Sequence, residues 1–254
     1  MTKGYDISII VKRVKNASRI LFLTGAGISA DSGLPVYRGL GGLYNSGTTD
    51  EGVPFEEALS MEMLQKNPNV IWKFLAKIES ANRKASPSLA HRIIADFQQN
   101  LSGDVLLATQ NVDGLHGKAG SKDVLELHGN MFRIRCEHCG WKDSIESYDE
   151  LDEFKICPEC NHFTRPDVVL FGEMLPFKES KRLMDESARG FDIGFAIGTT
   201  ASFYYIKRPF EQIKENGGIV VEINPCDTDL TDIADHKMRM TASEGLEKIS
   251  KCNF

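Results

Sequence analysis

The segment TQNVDGLHGKAG, residues 109–120, places an amide pair, an acid and a histidine directly after the apolar run VLLA. A polar loop at the end of a buried strand is where an open α/β sheet holds its ligands. Gln110, Asn111 and Asp113 supply donors and acceptors suited to a polar substrate. Two nearby histidines titrate in the range a proton-transfer group needs. His116, in DGLHGKAG, reads as a loop histidine bonded to backbone. His128, in LHGN, follows the apolar VLEL, which aims it at the cleft side of a parallel sheet. Taken alone, it reads as a satisfied buried histidine. His91 falls in a helical pattern and reads as structural.

CEHC and CPEC set Cys136 and Cys139, then, after seventeen residues, Cys157 and Cys160. Two such knuckles form a tetrahedral four-thiolate zinc site. Four cysteines leave no coordination position for a substrate, so the metal is structural, replacing a core that so short a segment could hardly build. Two disulfides are the alternative, and a reducing compartment disfavours them. His138 and His162 flank the knuckles and read as surface residues. Cys226 and Cys252 read as inert packing residues.

LFLTGAGISADSGLPVYRG puts Gly25, Ala26 and Gly27 after a strand, and Ala30 completes a G-x-G-x-x-A spacing. Missing side chains there let a pyrophosphate reach backbone amides, with Ser29 and Ser32 as further donors. A tight strand-to-helix turn is the plainer reading. A hydride-transfer enzyme should continue into a second strand ending in an acid. Here Asp50 and Glu51 lie in a glycine-rich, loop-like stretch, which reads instead as a lid that orders on binding.

Positioning these groups requires a sheet. RILFLT (19–24), DVLLAT (104–109), DVLEL (123–127), DIGFAIG (192–198) and GIVVEIN (218–224) are near-continuously apolar, as strands buried on both faces are. Helical patterns lie around them. Ile7, Ile10, Val11 and Val14 make an amphipathic first helix. Asn67-Pro68 opens a second helix and Ser86-Pro87 a third, each with proline in the first turn. KESKRLMDESA and SFYYIKRPFEQIKEN follow, the latter interrupted by Pro209. The alternation predicts an α/β fold with a Rossmann-like, doubly wound parallel sheet. The large unit spans 1–130 and 164–254. An inserted zinc-ribbon module, 131–163, is polar and without a long buried strand.

The composition fits such a protein: 254 residues, 41% hydrophobic and 26% charged. The net charge of -6 argues against a broad nucleic-acid surface. No apolar run is long enough to cross a membrane. The first eighteen residues space their apolar side chains with charges, unlike a secretion signal. The expected setting is cytoplasmic, with no membrane and no nucleic-acid partner.

In order, GAGISADSGLPVYRG, TQNVDGLHGKAG, LHGN, CEHC with CPEC, RPDVVLFGEMLP and GTTASF resemble the sirtuin family over about Ile20 to Asn224. That resemblance implies an NAD-dependent protein lysine deacylase, with NAD as co-substrate and one structural zinc ion. Its active site would lie between a Rossmann-like domain and the zinc module. It also implies roles. Gly25, Ala26 and Gly27 line the pyrophosphate, with Ser29 in the same turn. Tyr37 covers the nicotinamide and Arg38 follows it. Gln110 and Asn111 face the ribose, Asp113 the carboxamide, and Val112 lies between them. Gly198, Thr199, Thr200 and Asn224 meet the adenosine half. Val168, Val169, Phe171, Gly172 and Glu173 supply the edge along which an acyl-lysine peptide lies. His128 is the general base, with Asn111 and Asp113 as its catalytic companions. In the implied chemistry the acyl oxygen attacks the ribose and expels nicotinamide. The base then activates a ribose hydroxyl to attack the resulting imidate, while Val169 and Phe171 exclude water.

The chain departs from the family pattern at three places. Val36 stands where the family has an acid, and Tyr37 replaces a phenylalanine. GTTASFYYI replaces a segment with valine and proline, so Phe203 and Tyr205 either crowd the peptide side or pack at a helix start. Where family members that remove succinyl or malonyl groups carry tyrosine and arginine, this chain has Leu75 and Ile78. Burying an unpaired carboxylate there costs about several kcal/mol, which favours apolar acyl groups. An NAD glycohydrolase or ADP-ribosyltransferase is the enzymatic alternative, and an NAD-sensing zinc-ribbon binding module is the non-enzymatic one.

Overall fold

The computed structural model describes residues 4–36, 48–49, 52–150 and 156–252. Its main sheet contains β1 (Arg19–Thr24), β2 (Asp104–Thr109) and β3 (Leu125–Glu126). A smaller sheet holds β4 (Gly129–Cys136), β5 (Lys142–Ser144) and β6 (Thr164–Val168). The chain then returns to the main sheet with β7 (Ile193–Ile197), β8 (Ile219–Ile223) and β9 (His236–Met238). The described helices are α1 (Ile7–Asn16), α2 (Phe55–Ala58), α3 (Met61–Lys66), α4 (Pro68–Lys84), α5 (Leu89–Asn100), α6 (Leu115–Lys118), α7 (Phe177–Ala188), α8 (Tyr204–Glu215) and α9 (Ala242–Ser250).

The six-stranded sheet runs β3-β2-β1-β7-β8-β9, and every neighbouring pair is parallel. Its strands are apolar throughout because both faces are covered. Ile20 and Phe22 of β1 pack with α1, α5 and α9, whereas Leu21 and Leu23 pack with α7 and α8. Phe22 stacks on Phe195 of β7 at 4.8 Å between centroids. The helix starts are specified locally. Asp6 caps α1, and Ser88 and Thr241 each open a reciprocal capping box.

Two helix expectations change. The third helix begins at Leu89, with Ser88 as its cap and Pro87 outside it. α8 continues through the buried Pro209. The missing N–H of that proline deprives only the Tyr205 carbonyl of a helical donor. β9 and α9 had no counterpart among the expected elements.

The smaller sheet, ordered β5-β4-β6, is antiparallel. β4 runs for eight residues and is only partly buried. Its buried Ile134 and Cys136 alternate with Arg133 and Arg135, and Met131 lies inward beyond Phe132, so it lacks the continuous apolar signature of the main sheet. Met131 and Ile134 share a second core with Leu59, Trp72 and Leu75, contributed by α4 and the chain before it.

Candidate active site

Parallel pairing brings the C-terminal ends of β1, β2, β7 and β8 to one edge. The chain leaves β1 with β2 on one side and β7 on the other, which opens a crevice at the switch in strand order. A cleft of about 590 Å³ lies there, between the strand ends and the 168–173 segment.

The glycine turn is built against β7's own exit. Gly25 N–H donates to Ile197 O at 3.0 Å, and Gly27 N–H to Gly198 O at 2.9 Å. A Cβ on Gly27 would lie 2.6 Å from Gly198 Cα. Close backbone packing therefore already demands glycine there. Residues Ala26–Ser32 continue as a 3-10 helix.

The TQNVD loop is tied to this turn. Gln110 donates to Thr199 Oγ1 at 2.7 Å, and Asn111 Nδ2 to Ser29 Oγ at 3.1 Å. Ser29 in turn donates to Asp113 Oδ2 at 2.7 Å. Burial pushes the Asp113 carboxyl up, opposed by the Leu115 N–H and the Ser29 hydroxyl. Ser29, Asn111 and Asp113 line a side pocket of about 230 Å³ with Phe55 and Phe74. Asn224 Nδ2 donates to Thr199 O at 3.1 Å, and Thr200 and Asn224 line the main cleft. Val112 reaches both cavities. Thus nearly the whole expected set converges. Tyr37 and Arg38 lie outside the described residues.

His128 stands at the β3–β4 turn. Gly129, at φ +80°, allows that turn, and a Cβ there would sit 1.9 Å from Asp167 O. His128 O accepts from Val169 N–H at 2.9 Å, which joins this histidine to the 168–173 segment. Burial lowers the imidazole to about 4, so the ring is neutral. Its Nε2 lies 2.7 Å from the Tyr205 hydroxyl, a contact that nothing in the sequence signals across 77 positions.

The 168–173 segment is braced mainly by residues outside it. Phe171 donates to Leu59 O and accepts from Met61 N–H. Glu173 faces the buried Arg165, at 2.5 and 2.9 Å, and accepts from Leu170 N–H. Val168, Val169 and Phe171 line the cleft, as do Leu75 and Ile78.

Other histidines and cysteines divide differently. His116 is not bonded to backbone in a loop. It is buried on α6, 2.9 Å from Thr24 Oγ1 and edge-on to His91 at 4.7 Å. Burial holds it well below the usual imidazole range, and it does not line the cleft. Cys226 and Cys252 are exposed, contrary to expectation, because each lies beyond the end of its element. The sulfurs of Cys136, Cys139, Cys157 and Cys160 all lie within 4.8 Å of one another, with two pairs at 3.5 Å. Zinc–sulfur bonds of about 2.3 Å give tetrahedral edges of about 3.8 Å, so the four thiolates fit that ion. His138 and His162 are exposed and stack on each other.

The Sir2 family model matches residues 25–204. NAD-dependent protein deacylase 2 of Pseudomonas aeruginosa is 43% identical over 241 residues, covering 94% of this chain and 93% of that protein. A crystal structure of a Sir2 homolog–NAD complex aligns at TM-score 0.88 and 34% identity, covering 99% of this chain and 95% of the other. A Sir2 variant with deacetylated p53 peptide and 3′-O-acetyl ADP ribose aligns at TM-score 0.84 and 27% identity, covering 98% of each chain.

Proposed function

The chain belongs to the Sir2 family, and from that membership we propose that it is an NAD-dependent protein lysine deacylase. The observation that carries the reading is the convergence of the glycine turn, the Gln110–Asn111–Asp113 loop and His128 on one cleft.

NAD is consumed as a substrate and supplies a ribose carbon whose nicotinamide can leave. The residues divide the work as follows. The Gly25–Gly27 turn and the Gly198–Thr200 exit receive the diphosphate and adenosine half. Asn111 and Asp113 hold the nicotinamide end in the side pocket. His128, neutral and bare at one ring nitrogen, accepts the proton of a ribose hydroxyl. Val169 and Phe171 keep water from the reacting carbon. Four cysteines hold a structural zinc ion that stabilises the smaller sheet. The division into 1–130 with 164–254 and an inserted 131–163 belongs to this proposal, with β4–β6 pairing as the join.

Leu75 and Ile78 give the cleft an apolar wall, which supports acetyl or longer apolar acyl groups over succinyl or malonyl. We place the reaction in the cytoplasm, where four closely set thiols stay reduced and metal-ready. The test is product identity. With NAD and an acetyl-lysine peptide, mass spectrometry should find deacylated peptide and O-acyl-ADP-ribose. Free ADP-ribose with intact peptide would instead establish NAD hydrolysis.

A further inference from the structure

The reaction as just described leaves one contact on its own base unused. Tyr205 Oη lies 2.7 Å from His128 Nε2. A backbone hydrogen bond with Gln110 favours the charged form of the same ring. Only a carbonyl acceptor does that, because an N–H aimed at the ring would disfavour the cation. With Nε2 against Tyr205, the nitrogen facing Gln110 is Nδ1. A neutral imidazole has one N–H. With that proton on Nδ1, Nε2 is bare and accepts from the phenol. Burial pushes that phenol up to about 12, so it keeps its proton.

The tyrosine is held in place. Its ring stacks on Phe203 at 5.4 Å and 15° and packs against the core beneath α8. Among the described residues no other group hydrogen-bonds the hydroxyl. Its oxygen thus keeps acceptor capacity toward the cleft that both Tyr205 and His128 line.

We propose that Tyr205 is a catalytic residue that relays the ribose hydroxyl proton to His128. The inference rests on the deacylase reading above. The ribose O–H breaks and its proton passes to Tyr205 Oη. The original Tyr205 O–H breaks and its proton passes to His128 Nε2. The freed ribose oxygen forms its bond to the acyl carbon of the imidate as the C=N π bond breaks and its electron pair moves to nitrogen. Tyrosine ends neutral, and the imidazolium holds one proton for the departing amine.

Tyr205→Phe tests this, because it keeps the ring and removes the hydroxyl. Nitrogen-15 NMR of the ligand-free protein should show His128 as the Nδ1–H tautomer with Nε2 hydrogen-bonded, and the variant should lose that bond. Single-turnover deacylation should fall about 10- to 100-fold. Acyl-peptide-dependent exchange of free nicotinamide into NAD precedes the base and should persist. The dependence of rate on deuterium fraction should curve in the wild type, with two protons in flight, and become linear in the variant. Deacylation at or above the wild-type rate would overturn the relay and mark the phenol as a cap that leaves. Parallel loss of exchange would also overturn it, leaving Tyr205 a structural prop. Absence of peptide-dependent exchange in the wild type would instead refute the deacylase reading itself.

Discussion

Gly27→Ala should damage both the fold and the nucleotide site. The added Cβ would lie 2.6 Å from Gly198 Cα and 2.9 Å from Gly198 O, against an ordinary contact of 3.4–4 Å. Both neighbours are backbone, so no side chain can swing away. Relief needs roughly 1 Å of separation between the turn and the β7 exit. Overpacking of this kind costs about 1–3 kcal/mol. The same movement stretches the 2.9 Å bond from Gly27 N–H to Gly198 O, worth about 1 kcal/mol. The sum, about 2–4 kcal/mol, is a large part of a typical stability of about 5–15 kcal/mol. Urea titration should read that loss, and calorimetry should show NAD binding weakened by at least about tenfold, or about 1.4 kcal/mol. Gly117→Ala is the control, since no atom lies within 4 Å of its added Cβ on α6. It should be neutral or stabilising by up to about 1 kcal/mol. A Gly27→Ala protein within about 0.5 kcal/mol of wild type and with unchanged NAD affinity would refute the close-packing argument.

His128→Ala should lower deacylation by about 10²- to 10⁴-fold. Because burial holds this ring at about 4, the acid limb of wild-type kcat/KM should fall well below pH 6, and a limb at the ordinary histidine value would contradict the assignment. Combining Leu75→Tyr with Ile78→Arg should raise the succinyl-to-acetyl ratio of kcat/KM at least about tenfold, through arginine–carboxylate pairing; an unchanged ratio would remove these positions from the acyl pocket. Metal analysis should find one zinc per chain, and a strong chelator should lower the Tm by about 10 °C, equivalent to a few kcal/mol; an unchanged Tm would argue against a structural ion. His91 is fully buried and lowered to about 4, so it is neutral in the folded chain while the unfolded chain takes up a proton below about pH 6.5. Stability should therefore fall as pH drops from 6.5 toward 4, by about 2 kcal/mol at pH 5 from this group. Urea titrations at pH 8 and 5 with excess zinc measure it, and equal stability would contradict the burial argument.

The strands of the main sheet were legible because burial on both faces leaves an unbroken apolar run, as in Arg19–Thr24 and Asp104–Thr109. β4 was not, because its buried positions alternate with Arg133 and Arg135. Pro209 misled because a helix can lose one backbone donor and continue. The zinc knuckles were legible from spacing alone, since the ligands of each pair are neighbours in sequence. The partners of His128 were not, because Tyr205 reaches it only through the packing of α8 against the sheet. Gly27 was read as a position kept bare for a pyrophosphate, and the fold gives a nearer reason for glycine there. That reason, the Gly198 backbone, lies just past β7, far away in sequence.

The central claim is that nicotinamide leaves only when an acyl-lysine occupies the cleft. The direct measurement is nicotinamide released from NAD by the purified protein, with and without an acetyl-lysine peptide. The account predicts release that requires the peptide and matches its deacylation one for one. Release at the same rate without peptide would contradict it.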